Sequence, residues 1–197
     1  VRLRERGGDA VVSFGGALNK ELAISCEDPE RLVAAYRAVI ARYDASIIDL
    51  DIEGTSISDG AANARRAAAI TRLQREEPEL RVWLTLPVAP HGLDAPAIAL
   101  IESMVQGGVI LGGVNVMTMN FGGSRDAAAS MHEASVQALL STWQQLDGVY
   151  RRNGTPRAEA EIWRMIGATP MIGQNDVAGD VFTLRDAQGL AAFARSV

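Results

Sequence analysis

Asp49-Leu50-Asp51-Ile52-Glu53 places three carboxylates at every second position, with apolar residues between them. On a β-strand successive side chains point to opposite faces, so Asp49, Asp51 and Glu53 share one face while Ile48, Leu50 and Ile52 share the other. Three acids in a row on an interior face are costly unless each is hydrogen-bonded, paired or neutralised. Like charges held this close do not all ionise easily, so the ladder shares at least one proton, and Glu53 can be held protonated. A protonated carboxyl at a strand end is the general acid that cleavage of a glycosidic bond requires. Two plainer readings compete: a metal site, and an edge strand whose acids are solvated. No His or further carboxylate stands at a strand end nearby to complete a metal site. The stretch 47–52 has the apolar content of a buried strand rather than a wet edge.

The elements that must position this ladder follow from the apolar periodicity. Runs at 10–14, 46–52, 81–87, 114–119 and 166–172 predict five strands. Segments of helical character lie at 29–43, 58–77, 95–106, 125–150 and 184–194. Asp28 before Pro29 marks one helix start, Ser58 with Asp59 another, and Thr183 with Asp186 forms a variant capping box. Pro78 stops the second helix, and the glycine pairs at 107–108 and 112–113 are expected to bracket the entry to the fourth strand.

Strands alternating with helices argue for an α/β fold with a parallel sheet, either an open doubly wound sheet or a closed barrel. No G-x-G-x-x-G follows a strand, so a nucleotide fold has no support, and Ser13-Phe14-Gly15-Gly16 is expected to be a tight strand exit. In a barrel, the acidic face lines the lumen and Glu53 sits at the C-terminal mouth, where barrel active sites lie. Nothing in the 197 residues reads as a linker, so a single domain is expected.

Composition excludes several other classes. Hydrophobic residues make up 48% and charged residues 22%, ordinary values for a globular domain. A net charge of -5 with scattered Lys and Arg gives no basic surface for nucleic acid. The basic cluster Arg65, Arg66, Arg72 and Arg75 is expected to be a solvated helix face beside Glu76 and Glu77. No stretch is long and apolar enough to span a membrane, and the charged start at 1–6 is not followed by the apolar run of a signal peptide. The lone Cys26 excludes an internal disulfide and a thiolate metal cluster, and is expected to be a structural thiol. No metal or other cofactor is expected.

These residues resemble glycoside hydrolase family 18, the chitinases. Ser13-Phe14-Gly15-Gly16 is similar to the family's S-x-G-G, and Asp49-Leu50-Asp51-Ile52-Glu53 to the core of its D-x-x-D-x-D-x-E. Val116-Met117-Thr118-Met119-Asn120-Phe121 resembles its M-x-Y-D strand. Gly167 to Gly173, running on to Asn175 and Asp176, is similar to the seventh strand of a bacterial subgroup. The resemblance implies a (β/α)8 TIM barrel of which this sequence covers about strands 3 to 7, so that residues 1–197 form one barrel domain incomplete at both ends. It also implies secretion, and a retaining mechanism in which the substrate's own N-acetyl group attacks the anomeric carbon. Carried over, Glu53 is the acid and later the base, Asp51 orients the acetamido group, and Asp49 stands behind it sharing a proton. Met117, Met119, Asn120, Phe121 and Met171 become the candidate contacts to chitin or an N-acetylglucosamine oligosaccharide.

The sequence departs from the family pattern at three points. Ser46 stands where the ladder's outermost acid would be, Met119 and Asn120 stand for Tyr and Asp, and the family's first, second and eighth strands are not represented. The resemblance thereby implies that Asn120→Asp raises turnover by restoring a charge near the sugar. Two rival functions stay open: a weak or inactive chitin-binding barrel, and an endo-N-acetylglucosaminidase acting on N-glycans. Retention of Glu53 favours an enzyme over the first. Trp83, Trp143, Trp163 and His132 are expected to be structural, and His91 lies in a loop after the third strand.

Overall fold

A computed structural model describes residues 3–197. The chain is α/β, with five strands in one sheet: β1 (Val12–Gly15), β2 (Ile47–Asp51), β3 (Arg81–Pro87), β4 (Leu111–Met117) and β5 (Ile166–Ala168). They are hydrogen-bonded in sequence order, and the registers of β1 on β2 and of β4 on β5 are parallel. A doubly wound sheet reverses its strand order at a switch point. This order does not reverse, and the fold matches a segment of a (β/α) barrel. A small antiparallel pair, β6 (Gly173–Gln174) and β7 (Val181–Phe182), follows and was not legible in the sequence.

The helices are α1 (Leu22–Ser25), α2 (Pro29–Tyr43), α3 (Gly60–Glu76), α4 (Ala95–Gln106), α5 (Met131–Arg152), α6 (Glu159–Trp163) and α7 (Leu184–Ala194). Their starts are chemically marked. The carboxylate of Asp28 accepts from the Arg31 N–H at 3.0 Å, that of Asp59 accepts from the Ala62 N–H at 2.9 Å, and Thr183 forms the expected box with Asp186. Helix α5 begins at Met131 rather than near 125, because Ser130 and Glu133 form a full capping box there. Arg125, outside the helix, instead pairs with buried Asp180 at 3.0 Å.

Two strands differ from expectation. Strand β4 starts three residues early and takes Gly112 and Gly113 inside it. At Gly112 a side chain would come within 3.0 Å of the Trp83 indole nitrogen, so the glycine is there for packing, not as punctuation. Strand β5 ends at Ala168 instead of running to 172. Pro170 lacks a ladder donor, and Gly173, at φ 83°, turns the chain into β6.

The chain divides into two compact units. The first comprises residues up to Leu84 together with Ser103–Gly112. Its core joins Leu32, Tyr36 and Ile40 of α2, Ile48 and Leu50 of β2, Ile70 and Leu73 of α3, and Val82 and Leu84 of β3. The second comprises Thr85–Glu102 and Gly113–Val197. It buries Leu100 and Ile101, Val114 and Val116, and Ala138, Leu146 and Val149 of α5. There Trp143 and Trp163 stack at 6.2 Å, Phe193 meets Trp163 edge-on at 5.7 Å, and the His132 ring lies against Gly189. These aromatic groups pack the unit together, as expected.

Candidate active site

In the first unit, β2 alternates as its sequence requires. Ile48, Leu50 and Ile52 have no exposed surface, whereas Asp49, Asp51 and Glu53 are half-buried on the opposite face. Glu53 lies two residues past the strand's end, with extended backbone, at the start of a 3-10 turn formed by Gly54–Ser58. Ser13 Oγ on β1 donates to Asp49 Oδ2 at 2.6 Å, which anchors the base of the ladder.

The two glycines after Phe14 have different steric reasons. Gly15 sits at φ 113°, and a Cβ there would lie 2.0 Å from the carbonyl oxygen of Asp51. Gly16, at φ 88°, donates its N–H to that same oxygen at 3.0 Å. The bare backbone therefore grips β2 at its middle acid.

Burial above all, then the charges of Glu53 and Asp49, push Asp51 up to about 6, and a hydrogen bond to Glu53 adds to the rise. Its Oδ1 is buried with no hydrogen-bond partner among the described residues, which further favours a proton. Within the ladder, then, Asp51 is a group whose affinity for a proton is raised, by burial and by both neighbouring acids. Its neighbour can then receive a proton from it or return one.

This has a consequence for stability. The folded pKa of Asp51 lies above its ordinary value of 3.8, so the folded state binds the proton more tightly than the unfolded chain. Stability therefore falls as pH rises from about 4 to about 6, and the cost persists above that range. Asp51→Asn is expected to raise Tm at pH 7.5 and to leave it nearly unchanged at pH 4, a difference readable by calorimetry. An equal shift at both pH values would show that the ladder's ionisation is not what costs stability.

The second unit holds the remaining candidates. Asn115 and Met117 are half-buried on one face of β4, while Val114 and Val116 are buried on the other. Met119, past the strand, and Met171, past β5, are half-buried as well. Phe121 is only 5% exposed, so its ring is core and is not open for stacking on a sugar.

Asn120 also departs from expectation, because its amide oxygen and one of its amide hydrogens are engaged within the protein. It stands at φ 52°, where Asn is tolerated, and donates through Nδ2 to Asp176 at 3.1 Å. Its Oδ1 accepts the N–H groups of Asp176 and Val177 at 3.0 and 3.3 Å. Asn120→Asp would set a carboxylate against that of Asp176 and lose the donor. The expectation of higher turnover is replaced by its opposite: a fall in Tm equivalent to about 1 kcal/mol with no gain in turnover. A more active, equally stable variant would refute this account.

Several residues of both units had escaped notice. Thr85, Asn115 and Thr169 form a polar triad, with Asn115 Nδ2 donating to Thr85 at 3.1 Å and to Thr169 at 2.8 Å. Asn175 and Asp180 are buried and tie the loop after β4 to the β6–β7 loop, through the N–H groups of Asn120 at 2.9 Å and Gly122 at 2.8 Å. In the first unit, Arg66 is completely buried rather than part of a solvated face. It falls on the apolar stripe of Ala62, Ala69, Ile70 and Leu73, and that periodicity was the available signal.

The unreversed strand order and the acidic ladder at the end of β2 define a segment of a (β/α) barrel whose acids stand at the mouth expected to carry a site. No family model matches the sequence, but relatives do. The chain is 36% identical over 196 residues to a probable bifunctional chitinase/lysozyme of Escherichia coli K12, covering 94% of this chain and 21% of that protein. It is also 36% identical to Endochitinase 11 of Metarhizium anisopliae, covering 37% of it. The catalytic domain of a hyperthermophilic chitinase from Pyrococcus furiosus superposes with a TM-score of 0.85 at 36% identity, over 99% of this chain and 60% of that one. A catalytic-site mutant of that chitinase, solved with chito-oligosaccharides, matches at the same TM-score with 35% identity. The chain is thus similar to chitinases along nearly its whole length. It spans between a fifth and two fifths of the curated relatives' length.

Proposed function

We propose that this protein hydrolyses the β-1,4 bonds between N-acetylglucosamine units of chitin, with retention and with help from the substrate's acetamido group. The carrying observation is the ladder itself: Glu53 just past the end of β2, on the face it shares with Asp49 and with an Asp51 raised to about 6 by burial and by both acids. Glu53 delivers its proton to the leaving glycosidic oxygen as the C–O bond breaks. The acetamido carbonyl oxygen closes onto the anomeric carbon, giving a cyclic oxazolinium ion. Asp51 passes its proton to Asp49 as this positive charge develops, so that its carboxylate stabilises the ion, and takes it back once the ring has opened. Water then opens the ring while Glu53 takes its proton, which restores the acid and leaves a product of unchanged anomeric configuration.

A chitin oligomer is the substrate most in keeping with the named relatives and with the oligosaccharide-bound neighbour. Met117, Met119 and Met171 remain the proposed sugar contacts of the second unit, and action outside the cell is proposed on the family resemblance. Proton NMR of the protein with a chitin tetrasaccharide tests the function: the β-anomer should appear first. First appearance of the α-anomer would exclude retention, and cleavage only of N-glycan cores would favour the endo-N-acetylglucosaminidase reading.

A further inference from the structure

Beneath the ladder, the first unit contains a buried polar chain that the proposed reaction does not use. Glu21 is 1% exposed and Arg66 fully buried. Arg66 Nε donates to Glu21 Oε2 at 2.8 Å, and Nη2 lies at the same distance but off the hydrogen-bond direction, so it contributes charge rather than a bond. The other Glu21 oxygen accepts the Tyr36 hydroxyl, whose titration burial pushes far above its ordinary range. Glu21 also accepts the Ala23 N–H at 3.0 Å.

The chain continues toward the site. Arg66 Nη1 donates to Asn63 Oδ1 at 2.5 Å, and Asn63 Nδ2 donates to the carbonyl of Ile57 at 2.9 Å. Ile57 belongs to the single turn that follows Glu53, and the Ser56 N–H closes that turn on the Glu53 carbonyl at 3.2 Å. At its other end, Glu21 belongs to the segment that leaves Gly16, which grips Asp51. One buried chain thus joins the loop after β1 to the loop after β2.

A buried ion pair is poor evidence for stability, because desolvating both ions offsets most of their attraction. Its value here lies in direction. Asn63 presents a donor to Ile57 only while its own oxygen is claimed by Arg66, so the ion pair fixes which way the amide faces. We infer that Asn63, oriented by the Arg66–Glu21 pair, is a positioning residue that holds the turn behind Glu53 and with it the carboxyl in its working place. The inference rests on the proposed role of Glu53 as the acid.

Asn63→Asp provides the test, since it keeps an acceptor for Arg66 and replaces the donor to Ile57 with an oxygen that faces its carbonyl. Hydrogen exchange at the Ser56 amide should become about tenfold faster, because the turn loses one tie. With a chitin tetrasaccharide, kcat should fall about tenfold while KM stays within about twofold, since misplacement by a fraction of an ångström is felt in the transition state. Should Asn63→Asp not fold, Asn63→Ser, too short to reach Ile57, replaces it with the same expectations. Unchanged Ser56 exchange, or a lower Tm with kcat intact, would overturn the inference. A parent protein that cleaves no oligosaccharide would instead refute the function, and the exchange rate would still decide whether Asn63 holds the turn.

Discussion

Glu53→Gln is expected to lower the turnover of chitin oligomers by about 10²–10⁴-fold while leaving their binding nearly unchanged. The amide fills the same space at the end of β2 but has no proton to give to the leaving oxygen and cannot take one from water. Asp51 remains beside it, so the partner proposed for the sugar's acetamido group is still in place. Removing the Glu53 charge also removes one of the causes that raise Asp51, so Asp51 should titrate nearer its ordinary range in the variant. Turnover within a few-fold of the parent would mean that another group delivers the proton. Loss of binding together with turnover would mean that Glu53 holds the substrate rather than acts on it.

Gly15→Ala is expected to be the most damaging substitution outside the ladder. The new methyl would overlap the Asp51 carbonyl at 2.0 Å, on a backbone at φ 113° that side chains rarely adopt. Strain and overpacking each cost about 1–3 kcal/mol, and β1 can relieve the overlap only by moving off β2. A total on the order of 3 kcal/mol corresponds to a Tm lower by roughly 6–12 °C for a chain of this size. Activity should fall with it, because the displaced strand carries the Ser13 hydroxyl that anchors Asp49. Gly16→Ala offers the contrast: a methyl there would stand 3.7 Å from Asp51 Oδ2, in ordinary contact, leaving only the backbone strain at φ 88°. Equal losses at the two positions would show that the close approach of β1 to β2 is not what demands glycine.

What could be read from the sequence was whatever depends on neighbours along the chain. Helix α2 starts at Pro29 because Asp28 caps it, and α7 starts at Leu184 because of Thr183 and Asp186; both signals lie within four residues. The ladder was visible for the same reason, since period-two alternation is local. Ser130 and Glu133 mark the start of α5 just as locally, but the helical pattern that runs back to 125 competes with that box. Other features depend on partners far away. Gly112 belongs inside β4 only because Trp83 lies beside it, and Arg66 is buried only because Glu21, 45 residues earlier, meets it. Asn120 reads in the sequence as a sugar contact standing for the family's Asp, whereas in the fold Asp176, 56 positions on, engages its amide. The family pattern correctly marked position 120 as special but did not tell a sugar contact from a loop clamp.

The stacked indoles of Trp143 and Trp163 make the second unit optically distinct. Two indoles 6.2 Å apart and 28° from parallel couple their transitions, whereas Trp83, the remaining tryptophan, lies in the first unit. Circular dichroism in the indole bands therefore follows the stack of α5 on α6, and a Trp83→Phe background reserves all tryptophan fluorescence for that unit. The tryptophan emission that the parent has and this background lacks then reports on the acid-bearing unit, without a label.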